Sequence, residues 1–129
     1  MGQQQLLLLV LGVILAGIAV VVGLNLFHAY SVSVNRDSLI SDIDHLAFRA
    51  MEYYRKPIAQ GGGGNSFVGF VIPMVLMSNP NGTFSISTAG TSSTIVFQAV
   101  GTETGNDGNT NVAVQATVTS RSVDIVILN

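Results

Sequence analysis

A few places in this chain carry residue types that do chemistry. His28 and His45 offer imidazoles, and His45 stands near Asp42 and Asp44. Imidazole with carboxylate can bind a metal or relay a proton. The two histidines are 17 residues apart. At about 100° per residue on one helix they do not share a face. No paired metal site within one chain follows, and a solvated helix face accounts for His45, Asp42 and Asp44. Asp107, Asn109 and Asn111 have the one-three-five spacing of a calcium loop. Its sixth place, which should be glycine, is Val112, and its acidic twelfth is Val118. A hairpin turn is the simpler reading. The run Gly61-Gly62-Gly63-Gly64 lacks the following Lys and Ser/Thr that a phosphate-cradling loop needs. Asn81-Gly82-Thr83 is an N-glycosylation sequon, usable at Asn81 if the chain is exported to a compartment with the machinery. Phe27, Tyr30, Phe48, Tyr53 and Tyr54 are spaced as packing residues rather than as a conducting stack. Nothing here asks for an enzyme, a cofactor or a metal.

The elements that carry these residues are more telling. Of 129 residues 48% are apolar and only 9% charged, well under the roughly 25% charged of a soluble domain. Net charge is −2, so there is no basic field for nucleic acid. No charge falls in residues 1–35, eight fall in 36–56, and four in 57–129. There is no cysteine, which removes disulfides and thiolate chemistry.

Residues 6–27 read LLLLVLGVILAGIAVVVGLNLF, 22 positions of which 16 are Leu, Ile, Val or Phe. About 20 such residues span a bilayer as a helix. A cleaved secretory signal would have a basic start and a shorter apolar core. A permanent anchor would ordinarily carry flanking cations, and here the first is Arg36. The third reading is a helix held in the membrane and then drawn into an assembly. Gly12 and Ala16 are four apart, as are Ala19 and Gly23. Such pairs let helix backbones approach closely, although both residues are also common in membrane helices. Leu11 and Ile14 lie in the same packing segment, and Asn25 is its lone polar side chain, free to bond across helices or to its own backbone. Val20, Val21 and Val22 before Gly23 lower helix propensity, so local stretching is expected there if packing rewards it.

From Asn35 the pattern turns amphipathic. Leu39, Ile43, Leu46, Ala50 and Tyr54 fall on one helical face. Arg55 and Lys56 suit a helix C-terminus, and Pro57 marks the stop. A helix from Gln3 to Lys56 would be about 80 Å long, so its apolar half is expected to protrude and to find burial elsewhere. Residues 57–66 read as a flexible Gly-rich linker.

Behind the linker, SFVGFVIPMVLM reads as a strand. Four alternating segments follow, around Phe84, Ile95–Ala99 by position, Val112–Val118 and Val123–Ile127. Asn79-Pro80-Asn81-Gly82 and Gly105-Asn106-Asp107-Gly108-Asn109 separate them as turns. The expected class is α+β. A long N-terminal helix over residues 1–56 has a protruding apolar half (6–27) and an amphipathic half (35–56). The latter packs on an antiparallel β domain of residues 67–129. Residues 57–129 hold 17 Ser and Thr, a surface with little charge to repel a second copy.

An apolar helix opening as MGQQQLLLLVLG, continuous with an amphipathic helix and followed by a small sheet, resembles the type IV pilins, bacterial or archaeal. The resemblance implies a homo-oligomer of many copies in an extracellular helical filament. Subunits would wait in the cytoplasmic membrane, pass through a pilus assembly machinery and bundle their N-terminal helices in the core. It implies leader removal after a glycine, and a glutamate at the fifth mature position docking on a neighbour's N-terminal amine. Here the fifth residue is Gln5 counted from Met1, or Leu7 if cleavage follows Gly2. Gln3, Gln4 and Gln5 are expected to hydrogen-bond within the assembly in its place or to remain near an interface, because an unpaired buried amide costs about 1–3 kcal/mol. The alternative is a membrane-anchored extracytoplasmic β domain or a minor pseudopilin of a secretion machine.

Overall fold

A computed structural model describes residues 2–129. One helix, α1, runs Gly2–Arg55. It is followed by two 3-10 turns, Ile58–Gln60 and Met74–Leu76. Five strands come next: β1 (Ser78–Asn79), β2 (Gly82–Thr88), β3 (Thr94–Thr104), β4 (Asn111–Thr119) and β5 (Val123–Ile127). The strands form one antiparallel meander in the order β1-β2-β3-β4-β5. The expected α+β class is what the chain adopts. It divides into two compact units, Met1–Ser31 and Val32–Asn129. Met1, which the expected helix of 1–56 included, lies outside the described residues.

The second unit holds every buried apolar side chain among the described residues. Leu39, Ile43, Leu46, Ala47 and Ala50 of α1 cluster with Phe84, Ile95, Phe97, Ala99, Val112, Val114, Ala116 and Val118 of the sheet. The alternation read from the sequence is the alternation of burial along β3 and β4. Their register sets Phe97 opposite Ala116 and Ala99 opposite Val114, a large side chain beside a small one in the first pair, which suits dense packing against a helix. At the outer strand β5 the pattern weakens. Val123 and Ile125 are half-buried, while Ile127 is exposed.

Two local expectations are corrected. The run SFVGFVIPMVLM is not a strand. Gly69 takes a left-handed φ of 84°, and Pro73, which has no N–H to give a ladder, opens the 3-10 turn at Met74. The segment instead drops Phe67 and Ile72 into the core. Phe67 lies 4.7 Å from the Tyr54 ring, and Phe70 stands edge-on to Tyr53 and Phe97 at 5.4 and 5.7 Å. Continuous hydrophobicity comes here from irregular core filling, which period-2 reading does not distinguish from a buried strand.

The glycine run is not a loose tether either. It folds back on the end of α1 and satisfies carbonyls that a helix terminus leaves open. Gly63 N–H donates to Tyr53 O at 2.7 Å, Gly64 N–H to Lys56 O at 2.9 Å and Asn65 N–H to Tyr54 O at 2.7 Å. Gly62 is buried, and a Cβ there would strike the Lys56 carbonyl. Close backbone approach explains the glycine better than flexibility does.

Candidate assembly surfaces

Residues 2–31 form the first unit's share of α1, and Gly2 to Tyr30 are exposed throughout. All 16 Leu, Ile, Val and Phe side chains of residues 6–27 are between 50% and 69% exposed. The helix carries a window of mean hydropathy 3.1 with none of it buried. Burying 16 such side chains is worth on the order of 20 kcal/mol or more. The helix continues without a break through Val20, Val21, Val22 and Gly23.

Gly12, Ala16, Ala19 and Gly23 are spaced four, three and four residues apart, which places them within about 60° on the helix. A Cβ built on Gly12, Gly17 or Gly23 would meet nothing within 4 Å. Each glycine costs a helix about 1 kcal/mol relative to alanine, and no packing inside the chain repays it. Leu11 lies about 80° from the edge of this stripe and Ile14 on nearly the opposite side of the helix; they are 52% and 53% exposed. Gln3, Gln4, Gln5 and Asn25 are exposed as well.

In the second unit, two side chains of α1 hold the sheet in register. Asn35 is buried on the apolar stripe. Its Nδ2 donates to Asn81 O at 2.9 Å, and its Oδ1 accepts from Thr102 and Glu103 N–H at 3.2 and 3.3 Å. Those two N–H groups lie where the β3–β4 register shifts, between Val100 and Thr104. Asn35 supplies partners that the ladder does not. Gly101 is the only residue type that fits beneath, since a Cβ there would collide with Asn35 Oδ1. Asp42 Oδ2 accepts from both Asn79 and Asn81 Nδ2 at 2.8 Å. The sequon nitrogen of Asn81 is thus engaged in tying the β1–β2 turn to the helix. The sequence offered a signal for Asn35, a polar residue at a core position between Val32 and Leu39, but not for its partners. Arg36 beside it has Nε and Nη2 buried without a hydrogen-bond partner.

The Asp107 loop is a closed turn. Its Oδ1 accepts from Asn109 and Thr110 N–H at 2.9 Å, and its Oδ2 accepts from Thr110 Oγ1 at 2.6 Å. These bonds, the Thr110 hydroxyl foremost, hold the carboxyl well below the usual carboxylate range. Both oxygens are occupied by the turn itself. His28 and His45 are exposed, one in each unit. Among the described residues no group of three His, Asp or Glu could hold a metal ion.

A groove of about 600 Å³ opens on the outer side of the second unit. Asp42, His45, Phe48, Arg49 and Glu52 of α1 face Val75 and Leu76 across it. Phe48 is 58% exposed, Met74 86% and Val75 87%. The groove gathers no nucleophile with a base beside it, and its lining mixes charged side chains with apolar ones. No protein-family model, curated protein or solved structure matches this chain.

Proposed function

We propose that this chain is a structural subunit of an extracellular, type IV pilus-like filament, assembled by bundling residues 6–27 of many copies. The observation that carries the reading is the wholly exposed apolar stretch at the start of a helix whose later half is built into a folded β unit. A side-chain set this apolar must be buried in lipid or in protein. Glycines with open space above them favour protein, because lipid gains nothing from a glycine and a neighbouring helix gains close approach. The three glutamines before the run would hydrogen-bond inside the bundle or remain near its surface. Before assembly the same stretch is long enough to lie in the cytoplasmic membrane.

A second reading keeps residues 6–27 in the bilayer permanently, with the β unit outside the membrane as a monomer or as a minor pseudopilin. The bilayer-matched length of the stretch favours it equally. Electron cryo-microscopy of material sheared from intact cells separates the two. Helical fibres with a core of N-terminal helices support the filament. Protein found only in the membrane fraction replaces it with the anchor.

A further inference from the structure

The sheet of the second unit ends in two edges of unlike kind. β1 is two residues long, runs into Pro80 and is tied to α1 through Asn79 and Asp42. Short strands and prolines keep an edge from pairing. β5, the last strand on the other side, has neither. It runs five residues, Val123–Ile127, without proline or cation, and its register on β4 has no shift. The ladder fixes which of its groups are free. Thr119 N–H donates to Ser122 O at 2.9 Å, and Leu128 N–H to Ala113 O at 2.8 Å. In an antiparallel pair the main chain turns toward its partner at every second residue. Ser122, Asp124, Val126 and Leu128 therefore face β4, and Val123, Ile125 and Ile127 turn their N–H and C=O outward. Among the described residues no loop bonds to those outward groups. The side chains of Val123 and Ile125 are half-buried and that of Ile127 is 50% exposed. Asp124, the one charge of the strand, alternates with them and stands on the face away from α1.

We infer that β5 of one copy pairs antiparallel with β5 of a second copy, about a two-fold axis at Ile125. Only an extended main chain can satisfy a row of alternating free N–H and C=O groups. The strand is its own complement in that register. Val123 meets the partner's Ile127, Ile125 meets the partner's Ile125, and their outward groups form about six hydrogen bonds. Each pair joins β-branched side chains, which suit cross-strand contact. On the other face Asp124 stands opposite the partner's Val126, so the two carboxylates are not set against each other. Sliding the register by two residues one way puts Asp124 opposite the partner's Asp124, which is unfavourable. Sliding it the other way puts Val123 opposite the partner's Asn129, whose N–H is already given to Ala113. The contact is isologous and closes at two copies. Its axis is perpendicular to the sheet, so residues 32–55 of the two helices run in opposite directions. In the proposed bundle the helices run parallel. The pairing therefore joins copies of separate fibres, or copies outside a fibre, and does not rest on the filament reading. A five-residue edge falls below the area of a stable interface, so half-dimerisation is expected on the order of 0.1–1 mM.

The test is amide exchange and NMR on the full chain in detergent, with micelles in excess so that each carries one chain. At about 10 μM the amides of Val123, Ile125 and Ile127 should exchange as exposed ones, and at about 1 mM they should slow about threefold or more. Those of Asp124 and Val126 should be slow at both concentrations. In a sample mixing labelled and unlabelled chains, the Asp124 Hα should show a contact with the partner's Val126 Hα, since these would form a non-hydrogen-bonded pair. A chain that stays monomeric at about 1 mM, or a dimer whose Val123, Ile125 and Ile127 amides remain fast, overturns the pairing. Protection of these amides only in sheared fibres assigns the edge to a neighbour within the fibre and overturns it too. Two proline variants add a second readout. Ile127→Pro removes an N–H that the chain itself leaves free, and should weaken the dimer about tenfold with the melting temperature unchanged. Val126→Pro removes a ladder N–H and should lower the melting temperature. The reverse outcome would mean that the free groups are misassigned, and the pairing would fall with them.

Discussion

Asn35 does more for this fold than its size suggests. One side chain satisfies a carbonyl in the β1–β2 turn and two amides in the irregular part of β3. Asn35→Ala removes the partner of those part-buried groups, at a cost of about 1–3 kcal/mol. Thermal unfolding in detergent should show the loss, and a variant as stable as the parent would mean that water replaces the amide freely. Asp107 gives a prediction in pH. Its carboxyl is depressed by the bonds of its own turn, led by the Thr110 hydroxyl. A depressed acid stabilises the fold fully above its ordinary range near pH 4, and loses that contribution only as pH falls through the lower folded value. Carbon-detected NMR of the carboxyl should therefore show Asp107 still ionised at pH 3. Thr110→Val should move its titration back toward the ordinary range. The calcium-like spacing of Asp107, Asn109 and Asn111 was visible in the sequence. The hydrogen bonds that close both carboxylate oxygens were not, because they depend on Thr110 and the turn geometry.

At the scale of elements, what the sequence made legible was whatever periodicity records. The stripe of Leu39, Ile43, Leu46 and Ala50 and the alternation in β2, β3 and β4 became the core directly, since side-chain direction follows from helix and strand geometry. The segment from Phe67 to Met77 was misread because its burial follows neither period, and Gly69 and Pro73 decide its path. The glycine run was misread because composition cannot tell a tether from a tightly wound cap. Gly62→Ala tests that difference. A tether would tolerate it, whereas a cap whose backbone crowds Lys56 should lose about 1–3 kcal/mol, read as a lowered midpoint of denaturation. The glycines of the first unit should behave in the opposite sense. Nothing in the chain approaches Gly12 or Gly23, so Gly23→Leu should leave helicity in micelles unchanged or slightly raised while cutting fibre yield. Normal fibres from that variant would remove close helix approach from the account.

At the scale of the whole molecule, the division of labour is sharp. The buried apolar side chains begin at Val32, and the exposed apolar stretch ends before it. A domain with its own core can fold alone, and the unit Val32–Asn129 has such a core around Leu39, Phe97 and Val114. Residues 32–129 expressed alone should unfold cooperatively and remain outside both membranes and fibres. If that fragment were molten, the first unit would be part of the fold rather than an appendage for assembly. Leu11→Asp or Ile14→Asp in the full chain then asks what the appendage is for. An ionised carboxylate at the middle of residues 6–27 is costly in lipid and in a dry helix bundle alike. Under the filament reading the variant chain reaches the membrane fraction in reduced amount, and no fibres are sheared from the cells. Under the anchor reading there were never fibres to lose, and membrane retention is the property that falls. The parent chain therefore decides the comparison. Fibres that contain it, and that vanish with Ile14→Asp out of proportion to the fall in membrane-bound chain, support burial of residues 6–27 in a protein core, and their absence from the parent supports burial in lipid.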